Sequence, residues 1–184
     1  VFPALASRMY GFHVEDWIYW RTNSSLYPPF EKSPIVITMA NAQRATFRCP
    51  LDKSDTDRLS DPAMSDGYGA YLFSYSMTGY GPFGDSPNAG MSSLVDPSGA
   101  VSLFKESAVH NPSQKIMIAE EPGTISAKDS PDGSSVIMDG RWIPTSDPLT
   151  VRHSGKADVT FADGHVVPVT PDFGSDTNNS LPMQ

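Results

Sequence analysis

His153, Asp163 and His165 are the residues of this chain whose types and spacing most readily suggest a metal site, since imidazole nitrogen and carboxylate oxygen are both zinc ligands. Asp163 stands before Gly164 in a turn, where a short polar side chain serves its own backbone. The expected role of the set is therefore structural. His153 hydrogen-bonds to backbone or carboxylate and pins the loop ahead of the turn, while Asp163 and Gly164 satisfy the turn itself. Cys49 is the single cysteine of 184 residues, which excludes an intrachain disulfide and a cysteine-based zinc cage. A nucleophilic cysteine needs a histidine beside it, and sequence neighbours supply none. Its expected role is that of a small buried residue at a strand end. Glu120-Glu121 is a pair of acids of the kind used in glycoside hydrolysis, but neighbours on a strand point to opposite faces and cannot flank one bond. No G-x-S-x-G, H-E-x-x-H, phosphate-loop or dinucleotide-binding fingerprint occurs. The expectation is a protein that is not an enzyme and carries no cofactor.

The elements that must hold these residues are short. Fourteen glycines and 17 prolines, with charged residues at only 18%, favour brief strands and helices joined by long loops within one domain, 1–184. Thirteen basic against 21 acidic residues give a net charge of -8, which argues against nucleic acid as a partner. Ser33-Pro34 ahead of residues 35–40 has helix-start chemistry. Residues 45–49 are expected as a strand that Pro50 ends, and residues 71–77 and 115–119 as two more. Residues 136–138 make a further short apolar run, 101–109 fit either a strand or a short helix, and residues 171–184 are expected to be a flexible tail. The aromatics Tyr10, Phe12, Trp17, Tyr19 and Trp20 fit neither period cleanly and suggest an anchor packed on a sheet.

Residues 157–162 and 165–169 flank Asp163-Gly164, which predicts a two-residue type I′ hairpin. That turn would pair Ala162 with His165, Phe161 with Val166 and Val159 with Pro168. It would place Val159, Phe161 and Val166 on the core face.

At this hairpin the chain resembles a known family. Arg152-His153, nine residues, then Asp163-Gly164-His165-Val166 with Phe161-Ala162 ahead of the turn resembles the H-X9-DG domain of prepilin-type proteins, which are related to type II secretion pseudopilins. Three more stretches follow that family's order: Phe47-Arg48-Cys49-Pro50-Leu51-Asp52, Tyr71-Leu72-Phe73-Ser74-Tyr75-Ser76, and Asn111-Pro112-Ser113-Gln114-Lys115 running into Glu120-Glu121. The four stretches cover residues 47 to about 170. The family's prepilin cleavage site and long hydrophobic N-terminal helix are not present in the chain, which opens at Val1.

The resemblance implies an α+β, pilin-like head: an antiparallel β-sheet with short helices and long loops, packed in the whole protein by an N-terminal hydrophobic helix. It implies a non-enzymatic structural or adaptor subunit of a type II secretion or type IV pilus-like filament, acting in protein transport. The partners would be other pseudopilin subunits and secretion-system proteins. Localisation would be the cell envelope, anchored in the inner membrane with a periplasmic or extracellular head. Because major pseudopilins hold Ca²⁺ in a loop of the head, Asp55, Asp57 and Asp61, with residues 172–179, become Ca²⁺ candidates, although the loop lacks an EF-hand's central glycine and final glutamate. The alternative is a secreted carbohydrate- or ligand-binding module that stacks a sugar on Trp17 and Trp20.

Overall fold

Strand pairing in this chain follows from where each strand leaves the sheet. The computed structural model describes residues 1–53, 55–60, 69–79, 90–95, 100–133, 136–144 and 146–182. Its strands are β1 (Tyr75–Thr78), β2 (Leu94–Val95), β3 (Val101–Ser102), β4 (Ile116–Glu120), β5 (Arg141–Trp142), β6 (Ala157–Phe161) and β7 (Val166–Val169). Five of them form one sheet in the order β5-β1-β4-β6-β7, and β2 pairs with β3 in a separate ladder. The sheet is mixed, not wholly antiparallel, because β5 runs parallel to β1. The chain leaves β4 beside Tyr75 and re-enters on the far side of β1, where Arg141 pairs with Met77 and Trp142 with Thr78, so β5 runs along β1. The helices are short: α1 (Pro34–Ile37), α2 (Thr56–Ser60) and α3 (Pro171–Ser175). No helix among the described residues is long and apolar enough to cross a membrane.

Alternation along the strands divides the interior in two. Ile116, Ala119, Trp142, Ala157, Val159, Phe161 and Val169 form one buried cluster, closed by Leu149 and by Phe173 of α3. Met77 faces the other way and meets Trp17, Trp20, Phe30, Phe47, Tyr71, Phe73 and Ile137. The aromatic segment is thus an anchor, as expected, but it is not helical. Ala4 bridges Asp16 and Ser93, and the Trp17 amide donates to the Ala4 carbonyl.

The final hairpin departs from its expected register by one residue. Ala157 pairs with Val169, Val159 with Val167 and Thr160 with Val166. Phe161 N–H donates to the His165 carbonyl and Gly164 N–H to the Phe161 carbonyl, both at 2.9 Å. The loop is therefore Ala162-Asp163-Gly164, three residues long. Gly164 alone has a positive φ, 90°, whereas a type I′ turn needs two such residues; a type I turn closed by a left-handed glycine needs one. Because side chains alternate, the one-residue slip turns Val166 out to solvent, 61% exposed, and Val169 in.

Three further expectations change. Residues 45–49 contain a 3-10 turn, Arg44–Phe47, in place of a strand, because the Gln43 and Thr46 side chains cap each other's backbone. Of residues 71–77, expected as a strand, only 75–77 lie in one, within β1, while the apolar run at 136–138 buries Ile137, whose amide donates to the Pro122 carbonyl. The terminal segment folds through Pro182: Thr170 caps α3, His110 N–H donates to the Pro182 carbonyl, and the Lys115 ammonium donates to the Asn178 carbonyl. Those bonds compensate for ordering a stretch whose composition alone suggests a tail. Elsewhere β4 forms where expected, and α1 starts where expected but ends at Ile37. In α1 the Ser33 hydroxyl does not cap; it donates to the Phe30 carbonyl and accepts from Tyr19 N–H.

Candidate functional site

Glu120 ends β4, and because neighbours on a strand diverge, it and Glu121 reach opposite faces. Glu121 accepts a hydrogen bond from the Ser76 hydroxyl. Glu120 turns toward the loop before β6, where Ser154 and Gly155 adopt left-handed φ values of 56° and 86°. That tight loop aims Arg152 and His153 back at the end of β4. A third segment arrives from far away in sequence: Cys49 N–H donates to the Ser74 hydroxyl at 3.0 Å, and that hydroxyl donates to Asp52 Oδ2 at 2.5 Å.

Around this junction lies a buried ionic lattice. Asp52, itself buried, receives Arg58 Nη2 at 2.7 Å and Arg48 Nη2 at 3.1 Å. Arg152 Nη1 lies 3.0 Å from Glu120 Oε1 and 3.5 Å from Asp52 Oδ2. Its Nε lies 2.6 Å from Asp129 Oδ1, and Nη2 donates to the Glu121 carbonyl. Burial by itself would lower the Arg152 pKa, but the hydrogen bond to Asp129 and the charges of Glu120 and Asp52 outweigh it and hold the guanidinium above its ordinary value. Burial would likewise raise Asp129, yet Arg152, Thr150 and the Gly123 amide bring it below the usual carboxylate range. One guanidinium so placed joins three carboxylates from three parts of the chain, with planar forked geometry that an ammonium lacks.

At the edge of the lattice stand Cys49, Glu120 and His153. Cys49 Sγ is 3.5 Å from His153 Nε2, and the same nitrogen is 3.0 Å from Glu120 Oε2. The histidine that a reactive cysteine requires is thus supplied by folding. The surroundings of the thiol nonetheless disfavour its thiolate form. Burial pushes the Cys49 thiol up, the Leu51 amide offsets part of this, and the Glu120 carboxylate raises it further, whereas attack needs the thiolate. One imidazole nitrogen faces both thiol and carboxylate, so no relay passes through the ring. What the three side chains can do is share protons or hold a cation.

The sequence-proposed zinc set is split. His153 lies with Cys49 and Glu120, whereas His165 Nδ1 contacts Asp163 Oδ1 at 2.5 Å on the exposed hairpin and its ring stacks on Phe161. The structural role of His153, Asp163 and Gly164 is compatible with that geometry. Among the Ca²⁺ candidates, Asp55 is taken by Arg48 and Arg58, and Asp57 accepts the Ile125 amide. Asp176 caps a 3-10 turn by accepting Asn178 N–H, and Asp61 lies outside the described residues. Trp17 and Trp20 are each 1% exposed and donate their indole N–H groups to the carbonyls of Gly140 and Ala6. Neither ring offers solvent a face on which a sugar could stack.

A second group of acids, Glu121, Asp139 and Asp147, lines a cleft with Arg8 and Arg141. Asp139 accepts the amides of Arg8 and Arg141 and Asp147 that of Ile143, which suits scaffolding. Burial pushes Asp147 up to about 6 against the pull of the Ile143 amide, with Asp139 adding to the rise and Arg141 opposing it. Burial also takes Asp16 up to about 6, although the His13 amide and Arg21 oppose it. The folded chain therefore holds protons that the unfolded chain loses near pH 3.8. Stability from these two groups is intact below about pH 4 and falls as pH rises through 6, by about 1 kcal/mol each between about pH 5 and 7.5. Asp129 acts with the opposite sign, losing its contribution as pH falls through its depressed folded value. Urea midpoints are expected to be higher near pH 5 than at pH 7.5; a flat profile would show both carboxyls to be hydrated.

Sequence reasoning placed Asp52, Glu120 and His153 in motifs but missed Arg58 and Asp129. The available signal was the basic residues bracketing Asp52, Arg48 four before and Arg58 six after, in a loop that composition suggests is merely solvated. No protein-family model, curated protein or solved structure matches the chain.

Proposed function

We propose that the chain is the head of a non-enzymatic, pilin-like structural subunit that assembles with its own kind or with secretion-system proteins at the cell envelope. The observation that supports this is where the family-like stretches meet. Cys49 and Asp52 from the first, Ser74 from the second, Glu120 from the third and Arg152-His153 from the fourth belong to one buried hydrogen-bonded and ionic cluster. Residues that carry the resemblance thus meet where the fold closes, which suits a structural head better than a catalyst. The five-stranded sheet with few short helices is compatible with an α+β head.

The full-length precursor in its native cells provides the test. Its N-terminal region should show a prepilin-type cleavage site followed by about 20 apolar residues, and the protein should fractionate with the inner membrane or with sheared surface filaments. A conventional cleavable signal peptide and a freely secreted product would overturn the assignment.

A further inference from the structure

The donors of Cys49, Glu120 and His153 lie within 4.8 Å of one another, although they come from three separate segments. A tetrahedral cation with bonds of about 2.3 Å to sulfur and about 2.0–2.2 Å to nitrogen and oxygen spaces its ligands about 3.3–3.6 Å apart. Here Sγ and Nε2 are 3.5 Å apart, and Nε2 and Glu120 Oε2 are 3.0 Å apart. Those two spacings are within a few tenths of an ångström of a coordination shell, and the third, from Sγ to the Glu120 carboxylate, is within 4.8 Å.

We propose that Cys49, Glu120 and His153 form a site for one thiophilic divalent cation of the Zn²⁺ class. The donor set of thiolate, imidazole and carboxylate suits that class and not Ca²⁺ or Mg²⁺, which take oxygen. Two of the three ligands, Glu120 and Cys49, are already oriented from behind. Arg152 holds Glu120 Oε1 and the Asp158 amide donates to Oε2, with both oxygens within 3.2 Å of His153 Nε2. The Leu51 amide donates to Cys49 Sγ at 3.4 Å, and the Cys49 amide is fixed by Ser74. Such outer contacts are what hold metal ligands in place. A fourth ligand is at hand: Asp158 Oδ2 lies 3.8 Å from His153 Nε2, and the two side chains are 39% and 24% exposed, so the carboxylate could coordinate directly or through water. A bound cation would clamp the Cys49 segment, the end of β4 and the loop before β6 together.

Cobalt is the direct probe. The reduced, metal-stripped full chain is titrated with Co²⁺, and a sulfur-to-cobalt charge-transfer band in the near ultraviolet is expected, with visible bands of tetrahedral intensity that Zn²⁺ bleaches at one equivalent. Cys49→Ser should abolish the charge-transfer band and His153→Gln should weaken binding at least tenfold, while His165→Gln on the exposed hairpin leaves it unchanged. Zn²⁺ should raise the melting temperature of the wild type and not of Cys49→Ser. Absence of the band in the reduced wild type would overturn the proposal without reference to any variant's folding. So would a band that survives Cys49→Ser, or one lost equally in His165→Gln.

Discussion

Arg152→Met is expected to remove about 3–5 kcal/mol of folding stability, because it strips the counter-charge from buried carboxylates while roughly conserving side-chain volume. The guanidinium reaches Glu120, Asp129 and Asp52 with its side chain only 5% exposed. Asp52 keeps Arg58 and Arg48, so the loss falls on Glu120 and Asp129. Glu120 retains His153 and the Asp158 amide; Asp129 retains Thr150 and the amides of Gly123 and Thr124. Against a typical total of about 5–15 kcal/mol, the change would remove a large share of the protein's stability. Arg152→Lys should recover little, since a single ammonium cannot span the same three partners. Pairing Arg152→Met with Glu120→Gln should cost less than the sum of the two single changes, as expected for groups in direct contact. Urea unfolding of the four proteins measures this. A loss under about 1 kcal/mol for Arg152→Met would mean that water, not protein, screens the carboxylates.

Trp17→Ala is expected to cost a similar 3–5 kcal/mol by a different mechanism, a large cavity plus an orphaned acceptor. Trp17 packs against Phe47 at a centroid distance of 6.3 Å, in the cluster with Phe30, Phe73, Tyr71 and Trp20. Its indole donates to the Gly140 carbonyl at 2.8 Å, and the Gly140 amide donates to the Ala6 carbonyl at 3.1 Å. That bond pair stitches the N-terminal segment to the residue before β5. A Cβ built on Gly140 would lie 2.7 Å from the Ala6 Cβ and 2.9 Å from the indole nitrogen, so the site cannot collapse to fill the space without moving backbone. Thermal and urea unfolding, with m-values to check that the transition stays two-state, would register the loss. Wild-type stability in Trp17→Ala would contradict the buried placement. Because the residue is a core anchor, any ligand binding lost in this variant would report unfolding rather than a missing contact.

Features decided by near neighbours were legible in the sequence. The apolar run ending in Glu120-Glu121 became β4, Ser33-Pro34 began α1, and Asp163-Gly164 marked a hairpin. The divergence of Glu120 from Glu121 followed from strand alternation alone. The Cys49, Glu120 and Arg152-His153 stretches stood out as motifs, although their meeting could not be seen. Cys49 and His153 are 104 residues apart and Glu120 and His153 are 33 apart, and no local propensity encodes such a pairing.

Tertiary structure decided the rest, and in each case a long-range bond outweighed a local preference. Residues 45–49 have strand-like chemistry, but Ser74 engages the Phe47 carbonyl and the Cys49 amide singly, so no ladder extends there. The hairpin's register turned on whether Asp163 would adopt a positive φ as well as Gly164, and only Gly164 does. That single backbone angle moved Val166 to solvent and brought Val169 into the core. The residues able to do chemistry were visible as types at positions 49, 120 and 153; that they form one cluster depends on the chain's path around the sheet, which the order of residues does not display.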